Sequence, residues 1–281
     1  MAAAHPWRVS GANSHPSTPA PMLYASIAVV VACETMFSAV VPTMLSAQTH
    51  AAPTLVGLVV GVALGCGLAA VPFVVPWVRC GRSSVVLVVG GALLLIAGPL
   101  CSLASALPIG VTASAALVFG VGRAVAMLVL LVDVGRLGPQ SSGHGHNGAA
   151  QRMGSAAGAL VAAVVLASGI NEVGTGALAC GGVVVIVLAC MRPRAAVAAP
   201  SSPRAAVQAI RLLRRDGRVL AALLVNVLVW VCVFVGNTMV PVGLVHDGRS
   251  VRESGFAVLA VLLVRDMVAV LVGLFGWTIL R

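Results

Sequence analysis

The chain has 281 residues, 60% of them hydrophobic and only 9% charged, with a mean hydropathy of +1.08. A soluble domain carries about a quarter charged residues, so this composition excludes a water-soluble globular protein and places the chain in a bilayer. The net charge of +10 is carried by arginine alone, and aromatic residues are 4%; such a surplus points to basic cytoplasmic loops and away from a nucleic-acid surface, which needs stacking aromatics.

Residues 1–21 combine proline, histidine and serine with one charged side chain, Arg8, and form an expected disordered cytoplasmic tail. The apolar run behind them is too long for a signal-peptide core, and more runs follow. A spanning helix needs about 20 mostly apolar residues. Eight runs qualify, at about 22–46, 54–78, 83–106, 109–135, 149–170, 173–191, 219–244 and 253–280. A transmembrane barrel would show short alternating segments instead. The expected fold class is an all-α polytopic membrane protein.

The arginines set the expected orientation. Segments 47–53 and 101–108 hold none, and 170–173 holds Asn171 and Glu172 but no arginine. Segment 79–82 holds Arg79 and Arg82, 136–152 holds Arg136 and Arg152, and 192–218 holds seven. This alternation puts the N-terminus on the cytoplasmic side of the plasma membrane. The turn HDGRSVRE, 246–253, dissents: Arg249 and Arg252 fall on the expected outer side, partly offset by Asp247 and Glu253.

Segment 192–218 is the one long hydrophilic stretch, and it separates a six-helix bundle (22–191) from two further helices (219–281). Its first half is an Ala/Pro/Ser linker. From Pro203 to Arg215, apolar Val207, Ile210 and Leu213 recur every three residues. That fits a short helix lying on an anionic leaflet, or a solvated loop helix. Helices 1 and 7 share a late proline, Pro42 and Pro241, each followed by a glycine opening the next helix, Gly57 and Gly255. Phe73, Trp77 and Arg79 match Phe275, Trp277 and Arg281 at the next helix ends. Residues 219–281 therefore look like the start of a second copy of the unit begun at 22. Repeats of this kind are a transporter architecture with the substrate between the halves. The chain is expected to hold eight helices of a truncated twelve-helix parent; the alternative is a genuine eight-helix protein.

Four stretches resemble the major facilitator superfamily, above all its proton-driven drug and sugar efflux branch. In helix 1, ETMFSAVVP places Pro42 eight residues after acidic Glu34. VRCGRS is similar to the family's loop Gly-x-x-x-Asp-Arg-x-Gly-Arg-Arg through Arg79, Gly81 and Arg82, with Val78 at the aspartate position and Ser83 at the last basic one. Arg123 resembles the intramembrane arginine of helix 4, with Met127 in place of the usual glycine. GSAAG, Gly154 to Gly158, resembles the helix 5 antiporter motif, with Ala159 where proline is typical. The resemblance implies proton-coupled efflux of a small organic compound by alternating access. It implies a gating role for the 79–82 loop, deprived of its usual aspartate, and a coupling or substrate role for Arg123.

Ionisable groups deep in a membrane are costly and mark candidate sites. Glu34 lies near the middle of helix 1, as a proton carrier or as a static partner of Arg123 or Arg265. Arg123 stays charged and needs a carboxylate or a wet cavity. Arg265 and Asp266 are neighbours, about 100° apart on a helix, and are expected to face different surroundings. Asn226 and Asn237 share a helix face and suit substrate binding or helix–helix hydrogen bonding. Asp133, near the cytoplasmic end of helix 4, is expected to pair with Arg79 or Arg82 as a latch. His144 and His146 lie in an expected flexible glycine loop and make only a weak metal pattern. The seven cysteines are expected to be small packing residues. No catalytic set, cofactor motif or metal site is apparent. The expected partners are a small-molecule substrate, protons and the bilayer, with the protein acting as a monomer and not as an enzyme. The alternative is a non-transporting, structural or regulatory membrane protein.

Overall fold

A computed structural model describes residues 20–49, 52–104, 109–136, 141–168, 171–191 and 217–279. These residues form eight helices and no strand: α1 (Ala20–Thr49), α2 (Pro53–Arg79), α3 (Ser83–Ala104), α4 (Ile109–Arg136), α5 (Ser141–Ser168), α6 (Asn171–Met191), α7 (Gly217–His246) and α8 (Val251–Ile279). Six of them, α1 to α6, are long and apolar enough to cross a membrane. With no water to satisfy backbone groups in hydrocarbon, helices are what such apolar runs must form. The protein is membrane-embedded.

Two turns show how sequence stops one helix and starts the next. α2 ends with Gly81 at φ 77°, while the Arg82 amide donates to Trp77 O (3.1 Å) and the Gly81 amide to Val78 O (3.2 Å). This is a Schellman motif, in which the left-handed residue would cost any side chain about 1–2 kcal/mol. α7 ends the same way at Gly248 (φ 84°), with Arg249 donating to Leu244 O (2.9 Å) and Gly248 to Val245 O (3.1 Å). A capping box follows. The Glu253 amide donates to Ser250 Oγ (3.2 Å) and the Ser250 amide to Glu253 Oε2 (3.1 Å). Both orphan donors at the head of α8 are thereby satisfied. Gly-Arg-Ser recurs in both turns, at 81–83 and 248–250.

α1 is the hub, packed against α2, α4, α5, α6, α7 and α8. Small residues let the backbones approach, because lipid tails give apolar side chains no reason to leave the membrane phase. A Cβ added at Gly154 or Gly158 of α5 would collide with the backbone of Ala28 or Ala32 of α1. Gly67 and Gly120 bring α2 and α4 together in the same manner. Gly57 and Gly255, paired in the sequence comparison, each face the other unit: Gly57 meets Met239 of α7, and Gly255 meets Leu166 of α5.

Two expectations need correcting. α5 begins at Ser141, ahead of the expected run at 149–170, so the histidine-bearing segment is helical and Arg152 lies well inside a helix and not at its start. Its polar first turns are held by His146 stacking on Tyr24 of α1 (5.6 Å between centroids) and by Gln151 Nε2 donating to Asn147 Oδ1 (3.3 Å). Arg152 therefore drops out of the loop arginines counted for orientation. Cys33 packs against Gly181 as expected, but Cys66, Cys80, Cys180 and Cys190 are exposed on the bundle surface. A lipid-facing surface is as apolar as the interior, so hydrophobicity alone does not bury a thiol. The 203–215 segment lies outside the described residues.

The α1–α5 contact yields a matched pair of variants. Gly158→Ala should destabilise the bundle by about 1–3 kcal/mol through overpacking. Gly61→Ala, on α2 with open space around it, should change stability by no more than about 0.5 kcal/mol. Unfolding of both in detergent micelles checks this; equal effects would mean that the α1–α5 approach does not limit stability.

Candidate functional site

Two ionic clusters occupy the middle of the helices. In the first, Arg123 Nη2 of α4 lies 2.6 Å from Glu34 Oε1 of α1, with side chains 18% and 14% exposed. Each residue has an aromatic neighbour one turn away, Phe37 on α1 and Phe119 on α4. The two rings stack at 3.9 Å, 5° from parallel, and both are buried. Phe37 follows Glu34 while Phe119 precedes Arg123, so α1 and α4 run antiparallel here and the rings close one side of the ion pair. A charge pair removed from water loses solvation that only close geometry recovers.

The second cluster joins α5, α7 and α8. Arg265 Nε donates to Asp266 Oδ1 (3.0 Å), and its Nη2 lies 2.9 Å from the same oxygen and 3.2 Å from Oδ2. Arg265 also donates to Ser155 Oγ through Nη2 and to Asn237 Oδ1 through Nη1, the latter at 3.4 Å. Arg152 Nη1 reaches Asp266 Oδ1 from α5 at 3.2 Å. One carboxylate thus accepts from two guanidinium groups. Thr35, next to Glu34, donates to Ser155 Oγ (3.4 Å), which links the two clusters through α1.

Neighbouring residues 265 and 266 were expected to face different surroundings, and that expectation fails. Their Cα–Cβ directions diverge, but the long arginine side chain folds back onto the adjacent carboxylate. In an apolar bundle the cost of two separate unpaired charges outweighs the strain of that fold. Of Glu34's two expected partners, Arg123 is the one in contact.

The remaining candidates fall elsewhere. Asn237 is buried in the second cluster, whereas the Asn226 side chain lies outside the described residues. Asp133 is buried near the end of α4. Arg82 is exposed, with its guanidinium 5.4 Å from the Trp77 ring centroid, and no ion pair joins it to Asp133 among the described residues. An exposed arginine beside an aromatic ring gains a cation–π contact without desolvation. The Arg79 side chain lies outside the described residues, and so does that of His144. Gly81 forms the turn, and Gly154 and Gly158 form the α1 contact.

Sequence reasoning missed Thr35, Ser155, Arg152 and the Phe37–Phe119 lid. Arg152 was hidden because the glycines and histidines before it mask a helix start. Ser155 sits between the two contact glycines, and that position was the available signal.

Comparison with known protein families, curated proteins and solved structures finds no match for this chain.

The shared carboxylate makes the two sides of the second cluster unequal. Asp266→Asn should cost about 3–5 kcal/mol, because it strands buried positive charge. Arg152→Gln should cost no more than about 1 kcal/mol, since that side chain is 43% exposed and exposed pairs contribute little. Denaturation of the two purified variants decides; an Arg152 effect as large as that of Asp266 would contradict the assignment.

Proposed function

We propose that this protein is a secondary active transporter of the major facilitator type, exporting a small organic compound in exchange for protons by alternating access. One observation carries the reading. At mid-helix depth the Glu34–Arg123 pair joins α1 to α4, Thr35 beside Glu34 bonds Ser155 of α5, and a polar cluster joins α5 to α7 and α8. It therefore crosses from the α1–α6 unit to the two helices beyond the linker. Ionisable groups at that depth are expensive to maintain for packing alone. A site between two helix units is where a rocking transporter holds its cargo.

In this reading Glu34 is the proton carrier. Protonation would remove the charge that holds Arg123, and loss of the proton would restore the pair. Arg123 tunes that exchange. Asn226, Asn237, Arg265 and Asp266 face substrate. The Arg79–Gly81–Arg82 turn gates the cytoplasmic end, with Asp133 as partner to Arg79. The α5 motif at Gly154 and Gly158 sets how closely α5 approaches α1. The cytoplasmic N-terminus and the plasma-membrane location belong to the same proposal.

The second reading is a non-transporting structural membrane protein. The 2.6 Å Glu34–Arg123 contact favours it, because a tight static staple would look the same. Transport separates the two. Proteoliposomes carrying an imposed pH gradient should move at least one of benzoate, chloramphenicol or tetraphenylphosphonium against its gradient. Glu34→Gln should lower the gradient-driven component at least tenfold while leaving downhill exchange. Unchanged coupling in that variant removes Glu34 from the mechanism, and no driven movement of any probe supports the structural reading.

A further inference from the structure

Arg82 stands outside both ionic clusters. It follows the left-handed Gly81 in the turn between α2 and α3 and is exposed. Its guanidinium lies over the Trp77 ring, 5.4 Å from the centroid, and its side chain forms no hydrogen bond or ion pair among the described residues. The stretch from 35 to 132 holds no acidic residue, so the turn is basic through Arg79 and Arg82. The other Gly-Arg-Ser turn differs. There Arg252 lies over the Phe256 ring at 6.0 Å, but Asp247 and Glu253 offset Arg249 and Arg252 within the same few residues.

A guanidinium over a ring is held by its flat face, and its N–H donors still point outward in its own plane. That fork fits a phosphate oxyanion bidentately. Trp77 lies two residues before the end of α2 and is 50% exposed; Phe73, one turn deeper, is 78% exposed. Tryptophan collects at the membrane–water boundary, where its ring sits at headgroup level. From the turn inward, one strip of α2 therefore offers a cation, an indole and an apolar ring. Every fourth residue beyond Phe73 is small, namely Ala69, Gly65 and Gly61, with open space at both glycines. An acyl chain can lie along that strip without obstruction. A second copy of the chain is the rival occupant, since small residues let helices approach. It would bring its own Arg82 to the same membrane face, and like charges set together oppose association. The exposed Phe73 and Trp77 rings would also hold the two backbones apart. Charge complementarity therefore favours an anionic lipid over a zwitterionic one, whose own ammonium group competes for the phosphate.

We infer that Arg82, Trp77 and Phe73 form a binding site for an anionic phospholipid, with Arg82 on the phosphate, Trp77 at the glycerol level and Phe73 against an acyl chain. The inference needs only that the chain is membrane-embedded, and it stands apart from the transporter reading. A free phosphate shares the headgroup chemistry. We assign the site to the lipid, because the exposed apolar strip below Arg82 offers a bare ion nothing.

The test uses the full chain with Trp7, Trp230 and Trp277 changed to Phe, which leaves Trp77 as the reporter. In bilayers of phosphatidylcholine and chain-brominated phosphatidylglycerol, quenching of Trp77 gives the relative affinity of the two lipids at this site. Phosphatidylglycerol should be preferred by about fivefold or more, the margin that one arginine supplies at an anionic surface. Arg82→Gln should bring the ratio to about one, and Arg82→Lys should keep most of it, since the charge remains. Arg252→Gln, at the other turn, should leave the ratio unchanged. If the tryptophan-depleted chain does not fold, native mass spectrometry reads the same preference. It compares the unsubstituted chain with Arg82→Gln, each in equimolar phosphatidylglycerol and phosphatidylcholine. No preference overturns the inference, and so does a preference that survives Arg82→Gln or disappears in Arg252→Gln. Glycerol phosphate, added against sodium chloride of equal ionic strength, separates the sources. An unchanged ratio supports the lipid, whereas loss of the preference assigns the site to a free phosphate and overturns the assignment. Trp77 quenched by neither lipid when each is brominated, with a dimeric mass by light scattering, gives the strip to a second copy and overturns it too.

Discussion

Charge placed inside a nearly uncharged bundle governs the rest of this structure. Each guanidinium and carboxylate at mid-helix depth must find an opposite charge or an oriented dipole, because the surroundings offer no water to replace them. Glu34 and Arg123 meet that demand one to one across α1 and α4. Asp266 meets it for two arginines at once, one from its own helix and one from α5. These contacts fix which faces of α1, α4, α5 and α8 turn inward, since any other rotation would leave a charge in hydrocarbon.

The backbone contacts make those distances possible. Gly154 and Gly158 let α5 lie directly on Ala28 and Ala32 of α1. Ser155, between the two glycines, is then held within reach of Thr35 and Arg265. The same close approach serves packing and polar chemistry. A side chain at either glycine would separate α5 from α1 and pull Ser155 out of the network. The Phe37–Phe119 stack joins α1 to α4 one turn from the first cluster. At the other junction, the Gly248 turn and the Ser250–Glu253 capping box set where α8 begins, and hence the height at which Arg265 enters the bundle.

How much of this was legible in advance follows from the range of each interaction. Helix number and type were legible, because runs of apolar residues leave a backbone in lipid one option. Glu34, Arg123, Arg265, Asp266 and Asn237 were legible as candidates, because a polar group in such a run stands out. The start of α5 was not. Glycine, histidine and asparagine have poor helix propensity, and it takes the Tyr24 ring on another helix to hold them. In the sequence Arg152 falls where the basic segment 136–152 overlaps the apolar run 149–170. The capping box Ser-x-x-Glu at 250–253 was written in the sequence. Its charges also bear on orientation, and Glu253 is engaged with the Ser250 backbone.

The sequence alone determined that the protein is a bundle of membrane-spanning helices, and which side chains would be costly within it. Both follow from transfer free energy, which depends on residue type and on local runs. Tertiary structure decided the partners: Arg123 for Glu34, one shared carboxylate for Arg152 and Arg265, and Ser155 as the link between clusters. Pairing depends on helix rotation and on backbone approach across more than a hundred residues of chain, as between Thr35 and Ser155. No local run of residues encodes either quantity; they emerge when glycine and alanine faces meet and the charges find the nearest opposite sign.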